Sequence, residues 1–143
     1  RRAVSRKVSE MNIIVCGGRN FQAFHVLIWA LDDILERVDG DTPITLFEGG
    51  AKGADAMAEV YAARRNLGHR KVRIDNRLDG YDSDAPRCRN IRMFHEALPG
   101  LVIGFPGGPG TRHMLDYAHK AGATVIDVEV DGDKYEVHEW PAK

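Results

Sequence analysis

Four short stretches of this chain combine residue types suited to holding an anion. Gly17-Gly18-Arg19-Asn20 and Gly49-Gly50-Ala51-Lys52-Gly53, the latter followed closely by Asp55, each pair glycines with a cation. Arg87-Cys88-Arg89-Asn90-Ile91-Arg92 places three arginines in six residues. Pro106-Gly107-Gly108-Pro109-Gly110-Thr111 joins three glycines to a hydroxyl. Glycine lets backbone N–H groups approach an anion, and a helix N-terminus adds partial positive charge. A guanidinium fork matches phosphate oxygens. Each stretch also has a plain alternative. Glycine serves as a turn residue, Arg19 as a surface arginine, and the arginines at 87, 89 and 92 as a solvated basic face. Asp55 falls in the first turn of a helix, where the dipole stabilises a carboxylate without any ligand.

Other chemistries find no support. The second stretch lacks the Gly-Lys-Ser/Thr order of a Walker motif. There is no nucleophile elbow. The six histidines follow no metal-ligand spacing, and Cys16 and Cys88 form no CxxC, so no metal is expected. Cys88 lies between arginines that favour a thiolate, but no histidine pairs with it by any known signature. Both cysteines are expected as free thiols in a reducing cytoplasm.

The elements that must position these residues alternate. Apolar runs at 12–16, 44–48, 71–75, 101–105 and 124–128 read as buried strands. Helices are expected from a cap at Asn20 to about residue 38, over 54–66, over 87–97, and over 112–121 after a cap at Thr111. A polar loop occupies 76–86, and a hairpin turns at Asp131-Gly132. This pattern predicts a Rossmann-like doubly wound parallel sheet of about five strands, with helices on both faces and a C-terminal β-hairpin. Three strands then end in glycines along one sheet edge, where such folds bind ligands.

At 143 residues the chain suits one domain, read as 11–143 after a flexible leader at 1–10. Its 20 basic and 21 acidic residues argue against a dedicated nucleic-acid binder. No apolar run is long enough for a membrane helix.

From residue 11 to 128 the chain resembles the SLOG superfamily of Rossmann-like nucleotide-binding proteins and, within it, the YspA-related proteins. The carriers are Gly-Gly-Arg-Asn-Phe at 17–21, Gly-Gly-Ala-Lys-Gly-Ala-Asp at 49–55, Arg-Asn-Ile-Arg-Met at 89–93 and Phe-Pro-Gly-Gly-Pro-Gly-Thr at 105–111. The superfamily includes LOG enzymes, phosphoribohydrolases that cleave the base from a nucleoside 5′-monophosphate. Their motif is similar to 106–111 but continues to a glutamate three residues after the threonine, where this chain has Met114. Their catalytic arginine precedes a methionine by four residues, as Arg89 precedes Met93. The likeness therefore keeps the anion-binding half and loses the carboxylate, for which Glu48, Asp55 and Asp116 are possible substitutes. One further departure is Ala85-Pro86, which stands two residues before Arg89-Asn90 where similar proteins have Gly-Pro and one intervening residue.

Motifs and resemblance together nominate a ligand-binding set. It comprises Gly17, Gly18, Arg19, Asn20, Gly49, Gly50, Ala51, Lys52, Gly53, Asp55, Arg89, Asn90, Pro106, Gly107, Gly108, Gly110 and Thr111, with Arg89 the catalytic candidate if there is turnover. The expected partner is a nucleotide-derived small molecule, with no nucleic acid and no membrane. The resemblance also implies a homodimer, for which Met93, Phe94 and the 112–121 helix offer apolar surface. Three functions compete: a binder that senses or sequesters a nucleotide derivative, an N-glycosidase, and an interaction module with a vestigial pocket.

Overall fold

Side-chain alternation along the first strand sets the layers. In β1 (Met11–Cys16), Ile13 and Val15 face one helical layer while Ile14 and Cys16 face the other. The computed structural model describes residues 10–142; residues 1–9, which hold most of the expected leader, lie outside the described residues. The remaining elements are α1 (Phe24–Leu35), β2 (Ile44–Glu48), α2 (Ala54–Arg64), β3 (Gly68–Lys71), α3 (Asn76–Asp79), α4 (Ala85–Ala97), β4 (Leu101–Gly104), α5 (Pro109–Lys120), β5 (Thr124–Asp131) and β6 (Lys134–Glu139). Leu27, Leu31 and Ile34 of α1 and Ala58 and Tyr61 of α2 cover one face of the sheet. Met93 and Phe94 of α4 and Met114 and Leu115 of α5 cover the other.

The described residues form one six-stranded sheet in the order β3-β2-β1-β4-β5-β6. Every pair is parallel except β5–β6, a hairpin whose two-residue turn begins at Gly132 with φ +63°. Strand order reverses between β1 and β4, which pair from Ile13↔Leu101 to Cys16↔Gly104. A reversal of this kind opens a crevice beyond the strand C-termini. Among the described residues no helix is long and apolar enough to cross a membrane.

Several boundaries differ from the sequence reading. The third strand is 68–71 and not 71–75. It is an edge strand paired only with β2, and its residues are polar. The buried Val72 that marks the run follows the strand, where its N–H donates to Glu48 O. Asn20 does not cap α1, because Arg19 and Asn20 lie in a turn closed by Phe21 N–H to Gly18 O, and the cap position falls to Ala23. Thr111 lies inside α5, since Pro109 starts that helix with its preset φ. The expected loop at 76–86 holds α3, capped by the Asp75 carboxylate on Arg77 N–H at 3.0 Å.

Candidate functional site

Three strand-to-helix loops meet at the reversal. Gly18 N–H donates to Pro106 O at 2.8 Å, and Gly18 O accepts from Ala54 N–H at 3.2 Å. These contacts leave no room for side chains. A Cβ on Gly17 would lie 2.5 Å from Ala54 Cβ, and one on Gly18 would lie 2.8 Å from Pro106 O. Gly53, at φ +75°, packs on the carbonyls of Gly18 and Arg19, and Gly107 packs on Thr111 and Gly18. These four glycines are explained by loop-on-loop packing. Gly108 and Gly110 are not, since open space surrounds the position of each missing Cβ and neither has a positive φ.

A cleft of about 590 Å³ lies between the loops. It brings together Gly17, Gly18, Arg19, Gly49, Gly50, Ala51, Asp55, Arg89, Asn90, Gly108, Gly110 and Thr111. Asn20, Pro106 and Gly107 line an adjoining hollow instead. Lys52 is exposed and, like Gly53, lines neither. The sequence reading missed Arg73 and Ile74, which also line the cleft. They follow the C-terminal end of β3, so the signal was present but hidden by the misplaced strand.

The backbone N–H groups of the cleft are unevenly available. In the second loop, Gly50 N–H donates to the Glu48 carboxylate and Ala51 N–H to Asp55 Oδ2 at 3.2 Å. At α5 the cap residue is Gly108, and no side chain caps the helix. The first-turn N–H groups of Gly110 and Thr111 precede the first intrahelical bond, made by Arg112 N–H to Gly108 O at 3.1 Å. Asn90 Nδ2 donates to Gly110 O at 3.2 Å and ties α4 to this turn.

Arg89 is half-buried at the cleft floor. Its Nη1 donates to Gly49 O at 2.6 Å and Val72 O at 3.3 Å, and its Nε to Asn90 Oδ1 at 3.1 Å. Among the described residues Nη2 has no hydrogen-bond partner. Burial holds this guanidinium below its ordinary pKa, while the Asp55 and Asp79 charges act the other way. Arg92, on the same helix, is a structural residue. Its Nε and Nη2 grip the buried Asp79 carboxylate at 2.9 and 2.8 Å.

The three candidate carboxylates separate. Glu48 is fully buried, with Oε2 2.8 Å from His69 Nε2. Glu48, Glu59 and His69 bring ligand atoms within 4.8 Å of one another, a convergence no sequence spacing signals, but Glu59 already pairs with Lys71 at 3.0 Å. Asp116 is exposed on α5, away from the cleft. Asp55 alone lines the cleft and is only 5% exposed. Burial pushes its carboxyl up to about 6; the Glu48 charge adds to this, while the Ala51 N–H and Arg89 oppose it. Met114 is 1% exposed and packs in the core beside Met93 and Cys16. Met93 and Phe94, offered by the sequence to a partner subunit, are likewise buried in the chain's own core.

The family model of YAcAr, described as the YspA, cpYpsA-related SLOG family, matches residues 11–78. That span runs from β1 through most of α3 and includes the first two glycine loops, but not Arg89 or the α5 N-terminus. No curated protein matches the chain.

Proposed function

We propose, from the match of residues 11–78 to the YspA, cpYpsA-related SLOG family, that the chain holds a nucleotide or nucleotide-derived phosphate ester in the cleft. It does so as a sensor or sequestering protein and not as a phosphoribohydrolase. One observation carries the reading. The N-terminus of α5 has no side-chain cap, and the two glycines flanking Pro109 face open space. Glycine without a turn or packing reason suits close approach of a ligand to the backbone. The Gly110 and Thr111 N–H groups and the helix dipole receive the phosphate. Arg19 and the Nη2 of Arg89 supply positive charge from the same cleft.

The argument against turnover is chemical. Glycosidic cleavage needs a carboxylate at the sugar carbon and another group to activate water. The position matching the LOG glutamate is filled by Met114, inside the core, and of the candidate substitutes only Asp55 lines the cleft, one carboxylate where the reaction calls for two groups. Binding the ground state alone lowers no barrier. Native mass spectrometry of the purified protein tests the proposal. A stoichiometric, chemically intact nucleotide released on denaturation is expected. Base and phosphosugar as separate products, formed at roughly one per second or faster, would contradict it.

A further inference from the structure

The two ends of the cleft differ in kind. At the α5 end, N–H groups are open and no carboxylate lines the cleft among residues 108–111. At the α2 end, the N–H groups of Gly50 and Ala51 are already engaged by Glu48 and Asp55. At the second loop a phosphate would meet two N–H groups that are already engaged and two buried acidic groups, so that end is unfavourable to it. What that end offers is an acceptor, since the small exposed part of Asp55 faces the cleft.

We infer that Asp55 accepts hydrogen bonds from sugar hydroxyls, so that the cleft selects phosphate esters carrying a free ribose diol. This rests on the phosphate reading above and adds the orientation of the ligand, with its phosphate at α5 and its diol at α2. A carboxylate has about four lone-pair directions, and the backbone N–H groups of Ala51 and, more weakly, Gly49 occupy at most two of them. Loop closure alone does not explain the residue. An asparagine oxygen would accept the same N–H without burying a charge. Glu48 does not share the role, because it lies beneath the loop against His69 and does not line the cleft. A diol donating to an ionised acceptor forms the stronger, charge-assisted kind of hydrogen bond. A 2′,3′-dideoxy sugar forms none and leaves the buried carboxylate without its partner.

The test is calorimetric titration of the full chain with three probes: adenosine 5′-monophosphate, its 2′,3′-dideoxy analogue and inorganic phosphate. The wild-type protein is expected to prefer the diol-bearing nucleotide by roughly tenfold or more. In Asp55→Asn this preference should fall to within about threefold, while the dideoxy analogue and inorganic phosphate, relieved of the carboxylate's repulsion, bind no more weakly than to wild type. The wild-type comparison stands by itself if the variant folds poorly. Equal binding of the two nucleotides by wild type would overturn the inference and leave the phosphate reading standing. So would a preference undiminished in folded Asp55→Asn. A wild-type protein that binds none of the three would overturn the phosphate reading and this inference with it.

Discussion

The loops entering α2 and α5 are both glycine-rich turns from a central parallel strand into a helix, yet they do opposite things. Before α2, Gly50 and Gly53 have φ of +81° and +75°, and the loop's N–H groups turn inward onto its own carboxylates. Before α5, Gly108 and Gly110 have ordinary φ, Pro109 fixes the first turn, and space beside both glycines is open. A glycine at positive φ is accounted for by the turn it makes. A glycine at ordinary φ beside empty space, where it lines a cleft as Gly108 and Gly110 do, leaves room for a ligand to approach the backbone. Glycine content alone does not mark a phosphate loop; the destination of each N–H group does.

The largest effect that sharpens the comparison lies one turn below the open end of α5. Restoring the LOG carboxylate by Met114→Glu places an unpaired charge in the core and should cost about 3–5 kcal/mol, read by urea denaturation. A fully stable variant that releases base from a nucleotide would show that position 114 reaches the cleft.

The next effect is the pH dependence of Asp55. Its carboxyl is raised from 3.8 to about 6 on folding, so the native state holds this proton more tightly than the unfolded chain. The associated stability is fully present below about pH 4 and is lost as pH rises through 6, a change of about 3 kcal/mol. Asp55→Asn removes it, so the difference in unfolding free energy between variant and wild type should shift by that amount from pH 4 to pH 7.5. A difference that stays constant across this range would mean that Asp55 titrates as an exposed carboxyl.

Smaller effects separate the two kinds of glycine. Gly18→Ala drives a Cβ to 2.8 Å from Pro106 O and 3.1 Å from Gly107 Cα, both backbone, and should cost about 1–3 kcal/mol. Gly110→Ala meets nothing and sits in a helical first turn, so it should gain up to about 1 kcal/mol while weakening ligand binding. Thermal melts of the two variants check the signs. A stabilised Gly18→Ala or a destabilised Gly110→Ala would erase the distinction.

Much of this was legible in the sequence, for physical reasons that also explain the failures. β1, β4 and β5 are central strands whose inner residues are covered by helices on both faces, so they read as apolar runs. β3 is an edge strand, and its Gly-His-Arg-Lys carries no such signal; this displaced Arg73 from the expected site. The convergence of the glycine loops followed from parallel topology, since all strand C-termini share one edge. The division of labour within the arginine cluster did not follow. Arg92 is claimed by Asp79, which belongs to a stretch read as loop. Nor does residue type alone show which of Glu48, Asp55 and Asp116 reaches the cleft. That depends on loop paths set by close glycine contacts.

The central claim, that the open N-terminus of α5 receives the ligand's phosphate, is tested most directly with Gly110→Asp in a thermal-shift screen over nucleotides and ADP-ribose derivatives. A carboxylate in the first turn favours the empty helix through its dipole but repels an anion from the same N–H groups. Wild type should be stabilised by about 2.7 kcal/mol at a ligand concentration of about one hundred times Kd, a rise on the order of 8 °C. The variant should melt at or above the wild-type temperature without ligand and show no rise with it. An equal rise in both proteins, or a flat screen for both, would contradict the claim.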